Sequence, residues 1–436
     1  MVDSSGKNTL DTKYLIGLRF SLDLDRKCHS DDNVPHVESF SMAKVMLFCG
    51  RDGPTLHKLG ECQVSTVELL RRVPWFVVVC AIALLAIGLS GIARADELNG
   101  IHLFAKQLTW ALFSVPVLVI TLVIPYRTWK PISHLLFIAS LPLLVVVLFM
   151  EKRNGARCWI QLGFFDLQPS EIVKVTYILV LAQYLMYRDS FRRLTGLVTP
   201  FVITLVPLAL ILLEPDLGSA LLFVPVLFAM LITVGIRGRH LVLIAVLGLL
   251  VSPLFWVKMS KEQKSRIIAL FNQVDGGEVP SGDGRQQHQS KTVIALGGLW
   301  GSEFSGTKVD DPTAYQFYGS GTDFVFCFVA ERWGLIGACL TLFLHLMIVT
   351  LGLRIAARTH EPFGRLIAVG IATLWGTQTI INAGMTVGLL PVIGITLPLM
   401  SAGGSSLLMS VVGLGLVLNV GARPGYEVTG EPFQFE

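Results

Sequence analysis

The feature that most constrains this chain is a succession of apolar segments about 17–25 residues long, the length a helix needs to cross the hydrocarbon core of a bilayer. They fall near residues 74–93, 106–125, 132–150, 171–187, 197–213, 218–235, 240–257, 332–353, 364–386 and 404–421. In lipid each backbone amide must be satisfied within its own segment, so such runs read as helices. Composition agrees: of 436 residues 53% are hydrophobic and 15% charged, against about 25% charged in soluble domains. The expected fold is an all-α polytopic membrane protein of about ten transmembrane helices. A long extracytoplasmic loop, residues 258–331, separates spans seven and eight.

Orientation follows from the basic residues. Arg71, Arg72, Arg127, Lys130, Arg188, Arg192, Arg193, Arg237, Arg239, Arg354, Arg358, Arg365 and Arg423 all fall on alternate connections. The opposite connections carry Arg94 beside Asp96 and Glu97, or Glu214 with Asp216. Both termini are therefore expected in the cytoplasm and the long loop outside. The formal net charge of +4 is distributed over helix ends, which speaks of topology and against nucleic-acid binding. Residues 1–70 are polar, show no sustained period and no leader pattern, and read as a cytoplasmic extension or an over-called start. Residues 71–424 form the membrane domain and 425–436 a short cytoplasmic tail. Seven cysteines without a CxxC pair read as free thiols.

Several polar groups need a reason to lie where they do. Lys152, Arg153 and Arg157 sit on an outer connection, against the topological bias. A bound phosphate would explain them through guanidinium geometry, and so would lipid headgroups. In Pro169-Ser170-Glu171 a helix is expected to start, with Ser170 as its cap and Glu171 in the first turn. Lys174 lies three residues on, so it can pair with Glu171 as a structural lock or as part of a site. Asp216 can cap the sixth span or serve a site, and Asp323, beside Thr322 at the end of the outer loop, is open to the same two readings. Residues 382–406 carry Gly and Pro across two spans, which points to a broken, re-entrant segment lining a cavity.

These segments carry a resemblance. The stretch 155–174 holds Gly155, Trp159, Ile160, Leu162, Gly163, Gln168, Pro169, Ser170, Glu171 and Lys174. Further on come EPDLGSA at 214–220, the run from Gln286 to Gly301, the Thr322-Asp323-Phe324 element, and NAGMTVGLLPVIGITLPLMSAGGSS at 382–406. In this order they resemble the shape, elongation, division and sporulation family. Departures are Cys158 for Arg, Glu214 for Gln, Arg285 for Tyr, an absent Pro-Glu-x-His before Thr322, Arg332 and Trp333, and Thr396, Leu399 and Ala402.

The resemblance implies a peptidoglycan glycosyltransferase of the bacterial inner membrane that polymerises lipid II, the undecaprenyl-pyrophosphoryl disaccharide pentapeptide. It implies Asp323 as catalytic base for the acceptor hydroxyl. Arg157, Lys174 and Lys291 are expected on the leaving pyrophosphate, and Gln289, Ser290 and Thr322 among the substrate contacts. Glu171, Gln168, Asp216, Asn382 and Ser401 are expected as supports. A divalent cation, Mg or Mn, is expected to suit the pyrophosphate oxygens, with Asp323 as a candidate ligand. The implied partners are a class B penicillin-binding protein and other membrane proteins of elongation or division. A lipid II flippase and a non-catalytic scaffold stay open as alternatives.

Overall fold

The computed structural model describes residues 66–423, apart from 153–156, 162, 164–165, 187–193, much of 244–260, 272–282, 307–314 and 316–318. The extension before residue 66, the tail after Arg423, most of the expected seventh span, and Arg153, Arg188, Arg192 and Arg193 therefore lie outside the described residues.

A short helix α1 (Thr66–Arg72) precedes α2 (Trp75–Asn99), α3 (Leu103–Val123) and α4 (Tyr126–Val147). A two-stranded antiparallel ribbon follows, β1 (Ile160–Gln161) with β2 (Asp166–Leu167), pairing Ile160 with Leu167. Then come α5 (Pro169–Met186), α6 (Val198–Leu213) and α7 (Leu217–Thr233). The outer segment contains α8 (Lys261–Phe271), α9 (Asp283–Gly297) and the single turn α10 (Ser302–Ser305). The chain closes with α11 (Val325–Arg358), α12 (Pro362–Thr386) and α13 (Gly404–Ala422). Helices α2, α3, α4, α11, α12 and α13 are long and apolar enough to cross a membrane, and α6 and α7 are shorter apolar helices. A helical polytopic membrane fold is thus established.

Burial divides the helices by role. Nearly every residue of α5 is buried, including Glu171 and Lys174, because α4, α12 and α13 all pack around it. Helices α3 and α4 instead keep Leu112, Phe113, Leu135 and Ile138 exposed, a surface suited to lipid rather than water. Polar anchors tie the inner ends of the outer helices to the bundle. Asn419 of α13 donates to the Thr121 carbonyl at 2.8 Å, and Arg423 reaches the carbonyls of Leu122 and Val123 at 3.1 Å each. These bonds satisfy the last carbonyls of α3, which its own helix cannot.

The described end of the segment between α9 and α11 is docked on α11. Leu335 N–H donates to the Gly298 carbonyl at 2.9 Å, where α11 breaks at Gly334 (φ 67°, ψ −163°). A Cβ on Gly301 would lie 2.2 Å from the Arg332 carbonyl oxygen, and one on Gly334 2.4 Å from that of Leu299. Only glycine permits that approach. Beside this junction Arg94 of α2 grips Glu331 of α11 in a bidentate pair, both N···O distances 2.9 Å. Ser302 on Arg94 (3.3 Å) and Tyr315 on Glu331 (3.4 Å) join the outer segment to the same pair.

Candidate functional site

Three helices start within hydrogen-bond reach of one another. The main-chain N–H of Gln168, entering α5, donates to Ser405 Oγ of α13 at 3.3 Å, and Ser405 donates to the Asp166 carbonyl at 3.0 Å. The Gln168 side-chain amide reaches Asp216 Oδ2 at 3.5 Å. Asp216 itself caps α7, accepting the Ser219 N–H at 3.0 Å, as one of its two sequence readings expects. Ser170 corrects an expectation: α5 begins at Pro169, and the Ser170 hydroxyl faces that of Ser219 at 3.4 Å instead of capping its own helix. The reason is packing, since both serines are buried where α5 crosses α7.

A fourth helix, α11, begins just after Asp323. Its N-cap position is Phe324, and no side chain caps it, so the capping reading of Asp323 is not what the structure shows. The residue sits in a turn in which the N–H groups of Thr322 and Phe324 donate to Gly319 O at 3.1 and 3.0 Å. Asn382 of α12 donates to the Asp323 main-chain carbonyl at 2.8 Å and to that of Ile395 at 2.6 Å. The expected break is present: α12 ends at Thr386, α13 starts at Gly404, and the chain between is non-helical, with Leu397 to Ala402 buried. Exposed Gly394 (φ 71°) in this segment lies against Asp323; a Cβ there would sit 3.3 Å from Asp323 Oδ2. Ser401 supports the segment, its hydroxyl accepting the Leu397 N–H at 2.8 Å and its carbonyl the Gln107 amide at 3.0 Å.

The electrostatics single out Asp323. Burial pushes its carboxyl up to about 6, the Asp216 carboxylate adds to the rise, and Arg266 with the Thr322 hydroxyl holds it back. Burial likewise pushes the Cys158 thiol up to about 12, with Asp216, Glu214 and Asp323 all contributing. Cys158 thus marks the point around which the three carboxyls gather.

The remaining expected residues divide. Arg157 borders the cluster through its main chain, which donates to the Glu214 carbonyl at 3.1 Å, while its Nη1 goes to the Leu148 carbonyl at 2.8 Å. Glu171 and Lys174 pair at 2.8 Å within α5 and line a small cavity with Trp375, Gln378 and Ser410. The charges acting on Asp323 are those of Asp216 and Arg266, and Lys174 is paired with Glu171 inside α5. Ser290 and Gln287 of α9 are spent docking that helix on the end of α12, donating to the carbonyls of Thr386 (2.9 Å) and Leu390 (2.7 Å). Gln289 is buried and Lys291 half-buried on the same helix. Arg266 was missed by sequence reading. It follows Lys261 and Lys264 in a segment assigned to the outer face, the same opposition to topological bias that singled out Arg157.

Comparison with known proteins places the chain in a family. The cell cycle protein family of FtsW, RodA and SpoVE matches residues 71–424. The chain belongs to that family. Stage V sporulation protein E of Bacillus subtilis is 33% identical over 364 residues, covering 80% of this chain and 97% of its own. A probable peptidoglycan glycosyltransferase FtsW of Coxiella burnetii is 34% identical over 365 residues, 79% of this chain and 95% of its own. Among solved structures, one described as showing the coordination of polymerization and crosslinking by a peptidoglycan synthase complex superposes with a TM-score of 0.69 at 30% identity. It covers 81% of this chain and 99% of its own. The rod shape-determining protein RodA of Thermus thermophilus gives 0.60 at 28% identity, covering 81% of this chain and 98% of its own. The FtsW/RodA/SpoVE match begins after the polar extension and ends at the last helix, so the cluster around Asp323 lies wholly inside it.

Proposed function

We propose that this chain is a peptidoglycan glycosyltransferase that polymerises lipid II into glycan strands at the outer face of the cytoplasmic membrane. The observation that carries the reading is Asp323, a half-buried carboxylate beside exposed Gly394 at the mouth of the re-entrant segment. Its relatives' names as peptidoglycan glycosyltransferases add direct support.

The geometry suits the chemistry. The acceptor sugar's 4-hydroxyl attacks the anomeric carbon of the lipid-bearing sugar, a C–O bond forms, and the bond to the undecaprenyl pyrophosphate breaks. Asp323 takes the hydroxyl proton, and a carboxylate raised toward neutrality is a stronger base than an ordinary one. Helices α5, α7, α11 and α13 all begin around this point, and the positive ends of their dipoles favour the pyrophosphate charge. Arg157, Arg266 and Lys291 supply cations on the same side, while Lys174 remains the partner of Glu171. Among the described residues no group of three or more His, Cys, Asp or Glu side chains is placed to hold a metal. A Mg or Mn ion therefore belongs to the reading as a companion of the pyrophosphate oxygens, not as a protein-caged cofactor.

The finer topology belongs to the same proposal: ten spans, both termini cytoplasmic and residues 258–331 outside. The shared starting face of α5, α7, α11 and α13 supports it, because alternate spans of such a chain must start on one side. A class B penicillin-binding protein is the proposed partner, supported by a structural neighbour described as a complex that couples polymerization to crosslinking. Purified chain given lipid II, with and without divalent cation, should yield glycan chains resolvable on a gel. Transport of lipid II across vesicles without any polymer would favour a flippase and overturn the reading.

A further inference from the structure

Glu214 is a buried carboxyl that the mechanism above leaves without a task. It follows the last turn of α6, where its N–H meets the carbonyls of Leu210 and Ile211 at 3.3 and 3.1 Å. Its side chain is 0% exposed, and neither carboxyl oxygen has a hydrogen-bond partner among the described residues. Two residues on, Asp216 has what Glu214 lacks: the Ser219 N–H, the Gln168 amide and the start of α7. A fully buried carboxyl without donors, two residues from a second carboxyl that has them, is costly to ionise.

Among the described residues, no charge that would compensate Glu214 acts on it. From its own turn comes Asp216, of like sign. The segment before β1 brings Cys158, whose thiol stays protonated, and Arg157, which meets the Glu214 carbonyl through its main chain while its guanidinium turns to the Leu148 carbonyl and is not among the charges acting on Glu214. From α8, Gln263 donates to the Pro215 carbonyl at 3.4 Å, and the Arg266 charge of that helix acts on Asp323.

We propose that Glu214 is a positioning residue that works as a neutral carboxylic acid, carrying the proton of the Glu214–Asp216 pair. Its neutrality sets no second charge against Asp216, the cap of α7, and so holds the turn that joins Arg157, α8 and the Asp323 cluster. In that form it is nearly isosteric with the glutamine of the family pattern. Burial, followed by the Asp216 charge, pushes the Glu214 carboxyl up to about 9. Because the folded state holds the proton more tightly than the unfolded chain, stability is full below the ordinary glutamate range. It is lost steadily as pH rises from there through about 9, and is level beyond.

The test compares full-length wild type with Glu214→Gln in detergent between about pH 6 and about pH 10, by thermal melting and by lipid II polymerisation. The melting gap in favour of Glu214→Gln should widen by a few degrees as pH rises to about 9. The ratio of its polymerisation rate to that of wild type should grow about twofold by about pH 9 and about tenfold by about pH 10. Asp216→Asn, which removes the like charge, should weaken the pH dependence of melting. A constant melting gap and a flat rate ratio would overturn the proposal, as would failure of Glu214→Gln to fold, since the neutral isostere must substitute. Only the rate ratio rests on the glycosyltransferase reading; if neither protein polymerises at any pH, that reading falls and the melting comparison still decides this one.

Discussion

Asn382 holds the main chain of Asp323: its side-chain amide donates to the Asp323 carbonyl at 2.8 Å while also donating to Ile395 at 2.6 Å. One fully buried amide therefore joins the turn that carries the base to the re-entrant segment that faces it. Replacing it by Leu leaves two buried carbonyls unsatisfied, at a cost of about 1–3 kcal/mol each before relaxation. Asn382→Leu should lower the melting temperature by several degrees and reduce polymerisation at least about tenfold. Full activity in a destabilised Asn382→Leu protein would show that the tie does not position Asp323.

The raised carboxyl of Asp323 sets an acid limit. With its value at about 6, the base is ionised above that pH and protonated below it. Polymerisation should fall about tenfold for each unit of pH below roughly 6. A pH–rate profile of the purified chain, corrected for stability at each pH, checks this; a limb near the ordinary aspartate range would mean the carboxyl is well solvated in the working enzyme.

Gly394 should tolerate no side chain. An alanine there must adopt a left-handed φ and would place its methyl 3.3 Å from Asp323 Oδ2. The strain alone is about 1 kcal/mol. Gly394→Ala should fold, melt within a few degrees of wild type and lose about tenfold or more in rate, measured as initial rates at saturating lipid II.

The Arg94–Glu331 pair braces the outer segment against α2 and α11. Glu331 has only 1% of its side chain exposed, so removing Arg94 strands a buried charge at a cost of about 3–5 kcal/mol. Arg94→Met should be strongly destabilising, and Arg94→Met with Glu331→Leu should recover much of the loss. A double variant no more stable than the single one would mean the pair's worth lies in its hydrogen bonds to Ser302 and Tyr315.

The membrane helices were legible because hydrophobic length is a one-dimensional signal: each segment from α2 to α7 and from α11 to α13 was placed, though an end of α2, an end of α4 and both ends of α11 fell five to seven residues away from those expected. Asp216 as a cap, the Glu171–Lys174 pair and the broken 387–403 segment were also readable, since each follows from local spacing. Long-range partners were not. Nothing in Arg94 announces Glu331, 237 positions away, and the outer segment's helices α8 and α9 read as loop because their polar faces hide the period. Ser290 was expected among the substrate contacts because its run resembles the family's, and its hydroxyl's bond to the Thr386 carbonyl across 96 positions could not be read from that run.

The central claim is that Asp323 accepts a proton during glycan transfer. The most direct measurement is polymerisation of lipid II by purified wild type, Asp323→Asn and Asp323→Ala, each shown by melting to be folded. Product strands from wild type and none above background from either variant are the expected result. Strands of normal length and rate from a folded Asp323→Ala protein would contradict it.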